Sequence, residues 1–170
     1  NEPQGKGIGT AHVRTAVIGD VPRVTALING YAARGIMLPR SQHQVYQFLR
    51  DFVVADADGE LLGCGALHIV WADLAEVRSL AVREEWRGQG IGRLIVEDLL
   101  RQARDLGLPR VFALTYQTGF FAHLGFQVVP HDMLPHKIWG DCLNCPKYPN
   151  CDEIAMMLDL KGSGSQEERE

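Results

Sequence analysis

The sequence predicts one domain of mixed α/β class, and three observations carry this prediction. Segments with the apolar pattern of a strand alternate along the chain with segments whose apolar residues recur at helical spacing. Asp58-Gly59 stands between two apolar runs, which is typical of a β-hairpin. An amphipathic stretch over 91–107 lies between two further apolar runs and predicts a strand–helix–strand crossover. The 170 residues, 46% of them hydrophobic, suffice to bury the core of one such domain.

The first half of the chain predicts a strand, two helices and the hairpin. HVRTAV (12–17) has the composition of a strand, and Asp20 with Pro22 marks the start of a helix that Gly35 ends. The next stretch, LPRSQHQVYQFLRD, predicts a loop that leads into a shorter helix. The two strands of the hairpin are FVVAD (52–56) and ELLGCGALHIVW (60–71).

The second half predicts the crossover and a closing set of strands. Ile95 and Leu99 belong to the apolar face of the long amphipathic helix, which Gly107 and Pro109 end. A short aromatic helix, GFFAHLG (119–125), is predicted farther along. The predicted strands are AEVRSLAV (75–82), RVFALT (110–115), FQVVP (126–130) and EIAMMLDL (153–160).

Charge and hydropathy limit the classes of partner. Residues 1–11 are expected to be flexible and the Gly-, Ser- and charge-rich residues 161–170 disordered, which leaves 12–160 as the single domain. The net charge of -4, without a block of basic residues, argues against nucleic acid as a partner. No apolar stretch approaches the roughly 20 residues of a membrane span, and the N-terminal residues lack the apolar segment of a signal peptide. We therefore expect a soluble, cytoplasmic protein.

The stretch WRGQGIG (86–92) has glycine at every second position directly before the long helix. Backbone N–H groups at such a helix start can form an anion-binding cradle. The dinucleotide-binding fingerprint would need glycine where Arg93 stands, and the Gly-Lys-Ser/Thr ending of a P-loop is absent. An anion cradle and a turn that merely reverses the chain are the two interpretations that remain.

The motifs that surround the glycine stretch favour the anion cradle. The strand SLAV, the pattern R-x-x-G-x-G, an amphipathic helix, a strand and a short aromatic helix ending in LGF resemble the GNAT superfamily of N-acetyltransferases over residues 12–129. This resemblance implies a mixed central sheet with a splayed pair of strands, helices on both faces, and acetyl-CoA as co-substrate. It assigns the pyrophosphate to the amides of Arg87, Gly88, Gln89, Gly90, Ile91 and Gly92, and the pantetheine arm to the backbone of Leu80, Ala81 and Val82.

Within the superfamily, three stretches are similar to the acetyltransferase domain of N-acetylglutamate synthases: GIMLPRS (35–41), AEVRSLAV (75–82) and LTYQTGFFAHLGF (114–126). Such enzymes acetylate the α-amino group of glutamate at the entry to arginine biosynthesis. The resemblance implies that Glu76 is the general base, that Arg40 with the adjacent Ser41 binds the carboxylate, and that Thr115 lies near the departing thiolate. The longer synthases carry an arginine-sensing domain in front, and we expect no feedback through such a domain here.

The chemistry of these residue types is consistent with those roles. Acetylation of an amine needs a proton acceptor, which Glu76 can supply, and Arg78 shares its strand face. A planar guanidinium binds a carboxylate through two hydrogen bonds, so Arg40 and Arg78 are candidate anchors for an amino acid. A solvated ion pair between Glu76 and Arg78 remains the alternative.

The sequence departs from the superfamily in two places. Phe121 stands where many members carry a tyrosine that protonates the CoA thiolate, so Thr115, Tyr116 or water is left as the proton source. The sequence reads NCDE (150–153) where some members bind the substrate's side-chain carboxylate with arginine and serine. The choice between glutamate, glutamine and another amino acid as acceptor therefore stays open.

A cysteine segment near the C-terminus has two interpretations. Cys142, Cys145 and Cys151 form C-x2-C-x5-C, with His131 and His136 upstream. They predict either a structural zinc site completed by a histidine or free thiols in an ordered loop. The remaining cysteine, Cys64, is flanked by glycines within a strand pattern and is predicted to be buried by packing.

Three functions are consistent with the sequence. The first is an amino-acid N-acetyltransferase that acts on glutamate. The second is an acetyltransferase for another amine, such as glutamine, a polyamine or a protein N-terminus. The third is a non-catalytic acyl-CoA sensor. The first implies acetyl-CoA and a small amino acid as partners, and a homodimer is left open.

Overall fold

The computed structural model describes residues 11–134 and 153–160. Its helices are α1 (Val21–Ala32), α2 (Gln42–Gln47), α3 (Ile91–Asp105) and α4 (Thr118–His123). Its strands are β1 (His12–Thr15), β2 (Phe52–Ala57), β3 (Glu60–Trp71), β4 (Leu74–Val82), β5 (Arg110–Thr115), β6 (Gln127–Val129) and β7 (Ile154–Asp159). Every helix and strand predicted from the sequence is present, with ends that differ by a few residues.

Hydrogen bonds join the strands of the described residues into one mixed sheet in the order β1-β2-β3-β4-β5-β7-β6. Both β1 and β3 pair with β2 in antiparallel fashion, and β7 pairs antiparallel with β5 and β6. Strands β4 and β5 are parallel, with Ala75 opposite Val111 and Glu76 opposite Phe112. Because α3 connects these two strands, the predicted crossover and the mixed α/β class are confirmed.

The hairpin between β2 and β3 turns where the sequence predicts it. Asp58 and Gly59 have φ angles of 53° and 81°, the two successive left-handed residues of a type I′ turn. Helix α1 ends at Ala32, earlier than predicted, and Gly35 adopts a φ of 75° in the turn that follows. Within the described part of the chain, no helix combines the length and apolarity needed to cross a membrane.

The described residues divide into two compact units. The first comprises 11–67 and 77–101, and its core joins α1, β2 and β3 through side chains that include Val24, Ile28, Phe52 and Cys64. The second comprises 68–76, 102–134 and 153–160, and its core cluster contains Leu74, Phe112, Leu134 and Ala155. The prediction of a single domain over 12–160 stays a prediction.

In the first unit, two glycines of β3 permit close packing. A Cβ at Gly65 would lie 2.7 Å from Cγ2 of Ile95 on α3, and one at Gly63 would lie 2.9 Å from the Ala81 carbonyl oxygen. Cys64, between them, is completely buried. Burial raises the pKa of the Cys64 thiol to about 12, as expected for a neutral core residue. The prediction that Cys64 serves packing is confirmed.

Helix α1 begins at Val21, as Asp20 and Pro22 predict, but the Asp20 side chain does not cap it. Asp20 stands directly before α1, but its backbone is helical and its carboxylate makes no capping bond to the helix. The carboxylate is buried and accepts two bonds from the Arg14 guanidinium, at 2.8 and 3.0 Å, and one from the Val17 N–H at 2.8 Å. Arg14 also donates to Asp56 on β2. Asp20 therefore ties β1 to the start of α1 through an ion-pair network.

Asp20→Asn is expected to remove an acid-sensitive part of the stability. Hydrogen bonds from Arg14 hold the pKa of the Asp20 carboxyl below its usual value. Its stabilisation is complete above the unfolded pKa of about 3.9 and is lost as the pH falls through the lower folded pKa. At neutral pH the variant should lose roughly 1.5–3 kcal/mol, the usual contribution of a hydrogen bond to a charged group. Urea unfolding from pH 7 to pH 3 should show a shallower acid dependence for Asp20→Asn, and an identical dependence would contradict this role.

Candidate active site

The glycine stretch before α3 has the backbone geometry of an anion cradle. Gly88 and Gly90 adopt φ angles of 79° and 87°, the left-handed region that an L side chain rarely enters. Alternation of this kind is typical of nests, in which successive N–H groups face one side. The first bond of the helix runs from the Leu94 N–H to the Gly90 carbonyl, so the N–H groups ahead of Leu94 have no acceptor within the helix. Residues 87–90 are exposed, which leaves this helix start open to a ligand.

The preceding turn fixes the position of this stretch. Trp86 is buried, and its N–H donates to the Arg83 carbonyl. The Arg83 guanidinium donates to Glu60 at 2.9 Å and to Glu85. The Arg87 N–H donates to the Glu84 carbonyl at 3.2 Å. A buried aromatic ring and an ion-paired arginine therefore anchor the chain just before the cradle.

The end of β4 departs from regular strand geometry, and two of its carbonyl groups accept hydrogen bonds from side chains. Ser79 has a φ of 57°, which is uncommon for a residue other than glycine and interrupts the regular strand. The Cys64 thiol donates to the Ser79 carbonyl at 3.5 Å, and the Tyr31 hydroxyl donates to the Val82 carbonyl. Of the three residues predicted to bind pantetheine, Ala81 is buried while Leu80 and Val82 are half-buried.

The first unit contains a cleft that includes the two predicted carboxylate anchors. Its empty volume is about 230 Å³ including the open mouth, and it is lined by Arg40, Gln44, Val45, Phe48, Asp51, Phe52, Ala66, Arg78 and Ser79. The Arg78 guanidinium lies 5.6 Å from the centre of the Phe48 ring, within the range of a cation–π contact. The structure therefore brings Arg40 and Arg78 to one cleft, while their role as carboxylate anchors stays a prediction. Because two arginines and one aspartate line the cleft, its formal charge is positive, which favours an anionic ligand.

Side chains outside the predicted set hold the loop that carries Arg40. The Asn29 amide bonds both the N–H and the carbonyl of Arg40. Ser41 caps α2, since its hydroxyl accepts from the Gln44 N–H at 3.1 Å and its own N–H donates to Gln44 Oε1 at 2.9 Å. The serine predicted to assist substrate binding thus has its hydroxyl engaged in a helix cap.

The remaining predicted catalytic residues belong to the second unit. Glu76 is half-buried on β4, two residues before Arg78 along the same strand. Thr115 is buried at the end of β5, and its hydroxyl accepts from the Gln117 N–H at 2.7 Å. Tyr116 is half-buried and follows directly. Phe121 is buried, and its ring meets that of Phe126 edge to face at 5.0 Å, so its place is in the core.

The cysteine segment is not part of the described structure. Cys142, Cys145, Cys151 and His136 lie outside the described residues. His131 is described, and its Nε2 lies 2.7 Å from the Glu153 carbonyl. Over 11–134 and 153–160, no three His, Cys, Asp or Glu side chains form a group that could hold a metal ion. The choice between zinc and free thiols in this segment stays a prediction.

The sequence model of the acetyltransferase (GNAT) family matches residues 31–126, a range that holds the cleft and the glycine stretch. The chain belongs to this family. It is 46% identical over 151 residues to the amino-acid acetyltransferase of Mycobacterium tuberculosis, covering 87% of this chain and 84% of the relative. It is 45% identical over 148 residues to an uncharacterized N-acetyltransferase of Chlorobaculum tepidum, covering 87% and 96%.

A solved structure gives the same result for the fold. The N-acetylglutamate synthase from Neisseria gonorrhoeae, complexed with coenzyme A and N-acetyl-glutamate, superposes with a TM-score of 0.80 at 32% identity. The match covers 88% of this chain and 35% of the synthase chain. The predicted GNAT resemblance, the fold class and the assignment as an acetyl-CoA-dependent acyltransferase are confirmed.

Proposed function

We propose that this acetyltransferase transfers the acetyl group of acetyl-CoA to the α-amino group of L-glutamate, the entry reaction of arginine biosynthesis. The observation that carries the proposal is the cleft lined by both Arg40 and Arg78. An amino-acid acceptor presents a carboxylate, which a guanidinium binds with matched planar geometry. The M. tuberculosis relative is named an amino-acid acetyltransferase, and the Neisseria gonorrhoeae synthase was solved with N-acetyl-glutamate; both support this acceptor class.

In this proposal, acetyl-CoA binds along the glycine stretch and β4. The amides of residues 87–92 hold the pyrophosphate, favoured by the dipole at the start of α3 and by the left-handed glycines. The backbone of residues 80–82 pairs with the pantetheine arm. The Val82 carbonyl already accepts a bond from the Tyr31 hydroxyl, so that carbonyl is not among the partners that we propose.

Glu76 acts as the general base in the proposed reaction. It removes the proton of the α-ammonium group, directly or through a water, and the amine attacks the thioester carbonyl carbon. The nitrogen, which is positively charged after the attack, loses its second proton as the carbon–sulfur bond breaks. The CoA thiolate leaves and takes up one proton, so that the reaction releases one proton to solvent overall. The Thr115 hydroxyl uses its oxygen to accept from Gln117, so its own hydrogen can be donated. We propose Thr115 as the donor, with Tyr116 or water as the alternative.

Arg40→Ala is expected to weaken acceptor binding selectively. Loss of a charged, hydrogen-bonded pair should raise the KM for L-glutamate about 10²-fold and leave the KM for acetyl-CoA unchanged. Arg40→Lys should recover little, because an ammonium cannot form the two parallel bonds of a guanidinium. Steady-state kinetics with each substrate varied provide the measurement. Arg101→Ala is the charge-matched control, since Arg101 is exposed on α3 beside Asp98; an unchanged glutamate KM in Arg40→Ala would refute the anchor.

L-Glutamine is the second candidate acceptor. Asp51 lines the same cleft as the two arginines. If the Asp51 carboxylate lies near the side-chain end of the acceptor, it would favour the neutral amide of glutamine over the carboxylate of glutamate. The ratio of kcat/KM for glutamate and glutamine, measured for wild type and Asp51→Asn, separates the candidates: a shift toward glutamate in the variant would show that Asp51 faces the side chain of the acceptor.

A further inference from the structure

We propose that Asn29 is a positioning residue for the acceptor, because its side-chain amide fixes the backbone from which Arg40 extends. This inference rests on the proposed role of Arg40. Asn29 Nδ2 donates to the Arg40 carbonyl at 2.7 Å, and the Arg40 N–H donates to Asn29 Oδ1 at 2.9 Å. One planar side chain thus satisfies both backbone groups of a single residue, in the way that a neighbouring strand would.

The loop needs such a fixed point because it has little regular structure of its own. Helix α1 ends at Ala32 and α2 begins at Gln42, and Arg40 lies close to the end of the segment between them. Pro39, directly before Arg40, has no N–H to donate. Directly after Arg40, the Ser41 N–H is bonded by the side chain of Gln44. Three consecutive backbone groups, from the Arg40 N–H to the Ser41 N–H, are therefore held by side chains of α1 and α2.

The residue type at position 29 matches this task. An amide carries a donor and an acceptor in one plane, whereas aspartate cannot donate and leucine can do neither. Asparagine is also a poor helix former, so the interior of α1 would favour another residue on local grounds. The neighbouring Ile28 is completely buried, which anchors this turn of α1 in the core of the first unit. Asn29 thus links the Arg40 backbone to the packed core. A guanidinium whose backbone is held in place is preorganised to bind the carboxylate of the acceptor.

Kinetics of Asn29 variants test the proposal. Asn29→Ala should raise the KM for L-glutamate about tenfold and leave the KM for acetyl-CoA unchanged. A misplacement near 1 Å can lower a reaction rate roughly 10²-fold, and we expect a smaller effect from the loss of one positioning side chain. Asn29→Asp keeps the shape but sets an oxygen against the Arg40 carbonyl, so it should show at least the same increase and remains informative if Asn29→Ala folds poorly. Gly30→Ala is the matched control on the same helix, since a Cβ there meets nothing within 4 Å. A glutamate KM that is unchanged in folded Asn29 variants would overturn the proposal.

A double-mutant cycle separates positioning from a general structural role. If Asn29 acts through Arg40, then Asn29→Ala should change the glutamate KM less than about twofold once Arg40 is alanine. Full additivity of the two effects would mean that Asn29 acts elsewhere and would overturn the inference. If Arg40→Ala itself leaves the KM unchanged, the proposed acceptor anchor fails, and the inference fails with it. If only the Asn29 effect is missing, the proposed function stands and the inference alone is wrong.

Discussion

Gly90→Asp is expected to abolish the binding of acetyl-CoA while the helix content stays nearly intact. Gly90 has a φ of 87°, so any side chain there strains the turn before α3. Aspartate adds a negative charge where backbone amides and the helix dipole are proposed to hold a pyrophosphate. Calorimetric titration with CoA gives the affinity, and far-ultraviolet circular dichroism gives the helix content.

A matched control for Gly90→Asp lies at the other end of the same helix. Gly107 follows α3, has a φ of 85° and has open space where a Cβ would stand. Gly107→Asp therefore adds the same charge and a similar backbone strain away from the proposed cradle, and it should retain CoA binding. Unchanged CoA affinity in folded Gly90→Asp would show that the glycine stretch does not bind the pyrophosphate.

Glu76→Gln should lower kcat by roughly 10²-fold or more near neutral pH, with little change in acetyl-CoA affinity. Glutamine keeps the size of the side chain and removes its basicity. The remaining activity should rise with pH more steeply than that of the wild type, because the acceptor must then lose its proton to solvent. Glu97→Gln is the control, since Glu97 is exposed on α3 and pairs with Arg93.

Steady-state and pH-dependent kinetics of both glutamate variants provide the measurement. A kcat of Glu76→Gln that equals the wild-type value at every pH would assign Glu76 a structural role. A decrease of the same size in Glu97→Gln would show that loss of negative charge alone, and not loss of a base, lowers the rate.

Local patterns predicted the elements of this fold well, because the signals that they use are short-range. The Asp58-Gly59 turn has the left-handed angles that its sequence requires, and apolar spacing placed α3 within a few residues of its observed ends. The glycines on both sides of Cys64 correctly indicated a tightly packed strand. Strand pairing across the crossover followed from the order of the elements.

Features that depend on distant residues could not be found in this way. Asp20 matches a helix-start pattern, yet its buried carboxylate binds the partly exposed Arg14 on a different element, and an ion pair of this kind has no local signature. The bonds from Asn29 to Arg40 and the stacking of Phe48 under Arg78 also join separate segments. Periodicity assigned Asn29 and Phe48 to helices, and nothing in their neighbours indicated that they support a binding cleft.

The candidate site also has a part that local sequence indicates and a part that depends on distant residues. The glycine stretch is local, so its sequence alone indicated either an anion cradle or a turn, and the left-handed angles found at Gly88 and Gly90 are ones that glycine readily adopts. The cleft needed the resemblance to a known family, because Arg40 and Arg78 are far apart in the chain and meet only after folding. The helix cap made by Ser41 was missed, although Ser41 and Gln44 have the spacing of a capping box.

The release of CoA thiol from acetyl-CoA, measured over a panel of acceptors, tests the proposed acceptor. The panel contains L-glutamate, L-glutamine, other amino acids, a polyamine and a peptide with a free N-terminus. The proposed function predicts the highest kcat/KM for L-glutamate, with L-glutamine next and no turnover with the polyamine, because the arginines of the cleft require a carboxylate. Acetylation of the polyamine or the peptide, with no turnover of any free amino acid, would contradict it.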